Sequence, residues 1–205
     1  MKKKENYLRG LCNRLYGIGA HSKPTLEFFR TSDRYEEICN IYKALGGVLD
    51  TPPVNPGAWD IDTPSFIIEL DEENHFNRYR AITLDAPLYQ NFKNFDVKEY
   101  RKYCRSYESK CPKTQGRWSK PSADVQFGAS GPEGDFSGNG PSRWKQRAFY
   151  DYLKDVFSVL TGIPVIRISI YDKAGYSTVG QLLDEENGAK IKQHLNSRIE
   201  SINKQ

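Results

Sequence analysis

The segment from Trp59 to Phe76 constrains this chain most. Asp60, Asp62, Glu69, Asp71, Glu72, Glu73 and His75 crowd around an apolar strand core, residues 66–70. Carboxylates on a strand that should be buried are costly unless something compensates them. A divalent cation is one such compensation, because hard cations seek carboxylate oxygens. Thr63-Pro64-Ser65 reads as a tight turn between a strand over 58–62 and a strand over 66–71. Side-chain alternation puts Glu69 and Asp71 on one face with Ile67, and Asp60 and Asp62 on one face of their strand. A turn centred near Pro64 sets position 60 opposite position 67, so the four acids can converge on one patch.

The flanking segments supply helices and one more strand. Residues 1–24 are rich in Lys and Gly, with Tyr7, Leu8, Leu11, Leu15 and Tyr16 at helical spacing, and read as a docking helix ended at Gly17. A helix is expected from Thr25 or Ser32 to Leu45, with Glu36 and Glu37 off its apolar face. A helix over 97–111 has Asp96 as a cap. Residues 121–142, punctuated by Pro and Gly, read as a long loop. Ser142 is expected to cap a helix from Arg143 to Leu160, stopped by Gly162. A buried-type strand follows over 163–170, and one or two amphipathic helices with a break at Gly188 close the chain. This order predicts an α/β fold: a mixed central sheet flanked by helices, in a single domain spanning 1–205.

Residues 77–142 read as a basic, aromatic insertion. Arg78, Arg80, Arg101, Lys102, Arg105, Arg117 and Trp118 stand there, and Arg143 and Arg147 continue the basic character into the next helix. Aromatics among Arg and Lys suit a surface that holds phosphates and stacks on bases. The bland reading, a small helical subdomain whose rings are core, is equally consistent with the pattern.

Composition narrows the classes. The 205 residues carry a net charge of +4, compatible with a polyanionic partner without demanding one. No run of eighteen apolar residues spans a membrane, and Met1-Lys2-Lys3-Lys4 lacks the apolar continuation of a signal peptide, so a cytoplasmic protein is expected. Cys12, Cys39, Cys104 and Cys111 form no C-x-x-C pair and read as buried reduced thiols rather than a zinc site. The glycines of 127–141 are followed by no Gly-Lys-Ser/Thr ending and form no phosphate loop.

Three readings compete for the acidic hairpin. An Asp and a Glu on adjacent strands can hold Mg²⁺ for phosphodiester hydrolysis, with a lysine nearby to steady the oxyanion. A glycosidase-type carboxylate pair would need an aromatic sugar platform that the neighbourhood lacks. The third is a charged strand end with solvated acids, which suits Glu72 and Glu73 better than Glu69.

Asp60, eight residues, then Glu69-Leu70-Asp71 resembles the Asp…Glu-x-Lys signature of the PD-(D/E)XK nuclease superfamily. The run Ile67-Ile68-Glu69-Leu70-Asp71 with His75 is similar to a segment of very-short-patch-repair-like endonucleases. The later order Arg147, Asp151, Leu153, Gly162, Val165-Ile166-Arg167-Ile168 also fits that pattern, as does a preceding helical Glu, Glu36 or Glu37. The resemblance implies a restriction-endonuclease-like sheet and a metal-dependent endodeoxyribonuclease using Mg²⁺ or Mn²⁺. It implies Asp60 and Glu69 as metal ligands, Asp71 as a ligand or water partner, and Asp62 as a substitute if the hairpin register shifts by two. Arg167 would brace the site. Asp71 stands where the motif has lysine, so the amine must come from elsewhere, with Lys145 the candidate. His75 is either a proton carrier or a strand-end hydrogen bonder. The implied partner is DNA, and a homodimer would supply two active sites for double-strand cutting. The alternative is an inactive nuclease-like module that binds nucleic acid or protein.

Overall fold

The computed structural model describes residues 2–114 and 116–203. Its centre is a three-stranded sheet of β1 (Ile61–Asp62), β2 (Ile67–Asp71) and β3 (Val165–Ser169), in the order β1-β2-β3. β1 and β2 run antiparallel, with Ile61 beside Ile68; β2 and β3 run parallel, with Glu69 beside Arg167. The fold is thus α/β with a small mixed sheet.

Helices cover both faces, and the strands' alternation explains how. Ile61, Ile68, Leu70, Ile166 and Ile168 turn to one side. There they pack with α1 (Lys2–Tyr16), α8 (Val179–Asp184) and α9 (Gly188–Asn203). Ile67 and Val165 turn to the other side. They join a larger aromatic core with α3 (Tyr35–Ala44), α4 (Arg78–Thr83), α5 (Val97–Tyr107), α6 (Pro121–Phe127) and α7 (Ser142–Thr161). By the same alternation Glu69, Asp71 and Arg167 share this second face, under α7. A short hairpin, β4 (Lys173–Ala174) and β5 (Ser177–Thr178), leads from β3 to α8.

Several boundaries differ from expectation for local reasons. The helix expected through 25–45 is two: α2 (Leu26–Arg30), capped by Thr25, and α3. The Ser32 hydroxyl donates to Phe29 O at 2.7 Å, and such local bonds compete with helix continuation. Ser142 does not cap α7, because its hydroxyl donates to Asp124 Oδ1 at 2.6 Å. Residues 121–127 of the expected loop are α6. The rest is pinned by Asn139, whose amide donates to Phe127 O and Ala129 O. Asp96 caps α5 and Gly162 ends α7 in the left-handed region, both as expected.

The aromatic residues of 77–142 are core rather than surface. Tyr89, Phe95, Tyr100, Tyr103, Trp118 and Phe127 are buried in the cluster that holds Phe29, Tyr42, Trp144 and Phe149. Trp118, expected as a base-stacking ring, is 1% exposed, lies edge-on to Trp144, and donates from Nε1 to Gly131 O at 2.8 Å. Trp118→Ala should cost about 3–5 kcal/mol of unfolding free energy, measured by urea denaturation, as for other buried large-to-small changes. A loss below about 1 kcal/mol would mean the segment is not part of the core.

Candidate active site

The register brings two of the expected acids together. Asp60, one step beyond the Ile61–Ile68 pair, comes opposite Glu69, two positions from the expected pairing with 67. The Asp60 N–H donates to Glu69 Oε1 at 3.2 Å, and Asp60 Oδ2 accepts from Leu70 N at 2.9 Å. That side chain takes a backbone donor of β2, and β1 is short, starting at Ile61.

The lysine that meets Glu69 is Lys154, on the face of α7 turned to the sheet. Its Nζ lies 2.6 Å from Glu69 Oε2 and 3.1 Å from Ala58 O. Lys145, the expected candidate, does not contact Glu69. It sits nine residues earlier on α7, roughly 13 Å along the axis, and donates to Asn139 Oδ1 near the Tyr79 ring. The sequence contained Lys154 in the same helix. Choosing between the two needed the phase of α7 against the sheet.

Asp71 belongs to an adjoining group. Arg167 Nη1 contacts both its carboxylate oxygens at 2.8 and 3.1 Å. Arg167 Nε donates to Asp155 Oδ1 at 2.7 Å and Nη2 to Asp151 O at 2.8 Å. Arg80, expected on the nucleic-acid surface, is instead 1% exposed and pairs with Asp155 Oδ2 at 2.7 Å, where the Tyr89 hydroxyl also donates. His75 Nδ1 is 2.7 Å from Asp151 Oδ2 and 3.3 Å from Asp71 Oδ1. Asp71, His75 and Asp151 each offer a ligand atom within 4.8 Å of the others, so the trio could hold a metal ion. Among the described residues Asp60, Glu69, Asp71 and Asp62 do not form one such set. Asp62 is held by His21 through its backbone N–H at 2.7 Å and its ring nitrogen at 2.5 Å.

The remaining candidates scatter. Glu36 is exposed, while Glu37 accepts from Leu88 N and the Tyr152 hydroxyl. Arg78 pairs with Glu108 and lies over the Phe136 ring; Arg101 pairs with Asp85 and Lys102 with Glu99. Arg105 is exposed on α5. Arg117, Arg143 and Arg147 are half-buried; Arg147 lies near His75, Arg143 and Arg147 near Asp151, and Arg117 near the other two arginines.

The electrostatics follow burial. Burial pushes the Glu69 carboxyl up to about 7; Lys154 opposes this, the Asp60 charge adds to it, and Arg167 opposes it. Asp60 is raised for the same first reason, again against Lys154. Burial disfavours the charged Lys154, but Glu69 and Asp60 outweigh it and hold the amine protonated. Burial likewise works against a charged His75, and Asp151 and Asp71 reverse it, so its pKa is raised. Two carboxylates around one lysine leave an excess of negative charge that a proton or a cation can relieve.

A family model matches residues 40–185, a span that holds both acidic groups, α7, β3 and the whole of 77–142. The chain belongs to the DUF7255 family, a family of unknown function. Neither a curated protein nor a solved structure matches the chain significantly. For this DUF7255 member the site geometry therefore carries the functional reading. No helix among the described residues is long and apolar enough to cross a membrane.

Two outcomes follow from the charges. Glu69 keeps its proton in the fold from its ordinary 4.5 up to about 7, so the folded state binds more protons there and stability falls as pH rises through that window. His75, also raised, continues the decline above its ordinary 6.5. Urea unfolding across this range should show the fall, and Glu69→Gln should flatten the part below about 7; an unchanged profile in the variant would refute the assignment. Arg167→Met strips Asp71 of its arginine and Asp155 of one of its two arginines and should destabilise by about 3–5 kcal/mol, read from the same denaturation curves.

Proposed function

We propose that this protein is a metal-dependent nuclease that hydrolyses phosphodiester bonds of DNA, on a restriction-endonuclease-like arrangement of the sheet. The observation that carries the reading is Lys154 Nζ at 2.6 Å from Glu69 Oε2, with Asp60 facing Glu69 across the hairpin. An Asp, a Glu and a Lys thus stand together as in the motif that the sequence resembles, with the lysine supplied by α7 instead of β2.

The residues suit a hard divalent ion. Among the described residues Asp60 Oδ1 accepts no hydrogen bond, Asp60 is only partly buried, and Glu69 Oε1 holds one long bond. Asp60 and Glu69 would hold Mg²⁺ or Mn²⁺, which supplies charge neutralisation at phosphorus and an activated water. The Asp71–His75–Asp151 trio is a poorer fit, since Arg167 already occupies both oxygens of Asp71. Lys154 presents an ammonium that steadies the oxyanion, and Arg167 holds the strand–helix spacing that sets it there. His75, oriented at Nδ1 by Asp151 and one-fifth exposed, can take up or release a proton at Nε2.

A second reading has an observation of its own. Glu69 is 2% exposed and already paired with Lys154, which suits an inactive module that binds nucleic acid through its basic face. The two readings part in one assay. Plasmid and short duplex DNA incubated with Mg²⁺ or Mn²⁺ should be nicked, EDTA should stop it, and Glu69→Gln or Lys154→Met should slow it by about 10²–10³-fold, as loss of a transition-state charge partner does. Salt-sensitive DNA binding without metal-dependent nicking would select the inactive module.

A further inference from the structure

Arg143, Arg147 and Asp151 follow one another at four-residue steps on α7 and so form one ridge. The inner end of that ridge is the Asp151–His75 pair. At the outer end the Arg143 N–H donates to Trp118 O at 3.2 Å, which brings Arg117 alongside.

These three arginines differ from the ion-paired arginines of the region in being half-buried without a carboxylate partner among the described residues. Arg78, Arg80 and Arg101 each have a carboxylate partner. Among the described residues Arg117, Arg143 and Arg147 have none. Among the described residues the Arg143 guanidinium bonds the Gln146 amide oxygen alone. Among the described residues Arg147 Nη1 is buried with no hydrogen-bond partner. Burial and the cationic Arg143 and Arg117 push Arg147 down to about 10 against the opposing charge of Asp151, and burial lowers Arg143, with Tyr150 and Asp151 opposing and Arg117 adding to it. Three half-buried cations that repel one another face one carboxylate, Asp151, which His75 and Arg167 already engage, and so form a local deficit of negative charge. An unpaired buried donor is costly, and an anion with several acceptor oxygens would relieve both the repulsion and the orphan.

We infer that Arg117, Arg143 and Arg147 form a binding site for a phosphomonoester, the terminal phosphate of a nucleic-acid strand. A monoester carries about −1.5 to −2 at neutral pH, against −1 for an internal diester, and matches three guanidiniums better. Arginine forks also bind phosphate oxygens in pairs. The ridge sets this site one helical turn from Asp151 and His75, so a strand held by its end would run toward the acidic hairpin. That the phosphate belongs to a nucleic acid rests on the nuclease reading; the anion site itself stands on the arginine geometry.

The test is fluorescence anisotropy with the full chain in EDTA, where no metal-dependent cleavage intervenes. Internally labelled duplexes carry a 5′-phosphate, a 3′-phosphate or hydroxyls at both ends, and inorganic phosphate is the competitor. One phosphorylated end should bind about tenfold tighter than hydroxyl ends, the scale of one charged hydrogen-bond set, and inorganic phosphate should erase the difference. The preferred duplex tells which end is held. Arg147→Gln should remove the preference, as should Arg117→Gln, which lies in a surface turn and keeps the test available if Arg147→Gln fails to fold. Equal binding of all three duplexes, or a preference that survives in the folded variants, overturns the proposal. Cleavage with no end preference would sink this site and leave the nuclease reading; an end preference without cleavage would do the reverse.

Discussion

The Arg167 guanidinium is the contact on which the arrangement depends. It lies in the middle of β3 with no exposed surface, where an unpaired charge would be prohibitively costly. It is tolerable because the fold surrounds it with acceptors from two elements: Asp71 from β2, and Asp155 and the Asp151 carbonyl from α7. Each of those acids in turn needs Arg167 or its neighbour Arg80. The consequence is geometric. Removing any member strands another in a dry interior, so β2, β3 and α7 are held at one separation and one phase. That phase is what lets Lys154 meet Glu69 and His75 meet Asp151. Ion pairs of this kind are weak evidence for stability, since apolar replacements of equal shape can do as well. Their effect here is to specify which face of α7 meets the sheet.

The sheet separates its two faces by chemistry. Ile68, Leu70, Ile166 and Ile168 pack an aliphatic layer against α1, α8 and α9, which needs no direction beyond apolar contact. The opposite face begins with Ile67 and Val165 and then turns polar along both strands together, because parallel pairing sets Glu69 beside Arg167 and Asp71 beside Ser169. The polar end of that face is where Asp60 and His75 reach solvent. A reactive group needs both partial burial, which shifts its pKa, and access, and this end of the sheet has both.

Much of this was legible in the residues before the fold was known. Strand alternation placed Glu69, Asp71 and Ile67 on one face, and the acids around 60–75 marked the region. Gly162 and Asp96 ended and began helices where their conformational preferences require. The hairpin register was not legible. A two-residue change in turn geometry leaves every side chain on the same face and alters only which acids confront each other, so hydrophobic pattern cannot detect it. The aromatic run of 77–142 was ambiguous for a related reason: a ring that stacks on a base and a ring that fills a core have the same composition, and only packing against Trp144 and Phe149 separates them.

The sequence by itself determined the α/β class, the strand faces and the segment where the acids gather. Tertiary structure alone decided which lysine meets Glu69, which acids face each other and which arginines lack a carboxylate partner among the described residues. Those outcomes depend on the rotation of α7 over β2 and β3, and that rotation is set by long-range ion pairs between residues 71, 151, 155 and 167. Local propensity and periodicity carry no information about such pairs, since each member is an ordinary charged residue until the chain brings its partner within hydrogen-bonding distance.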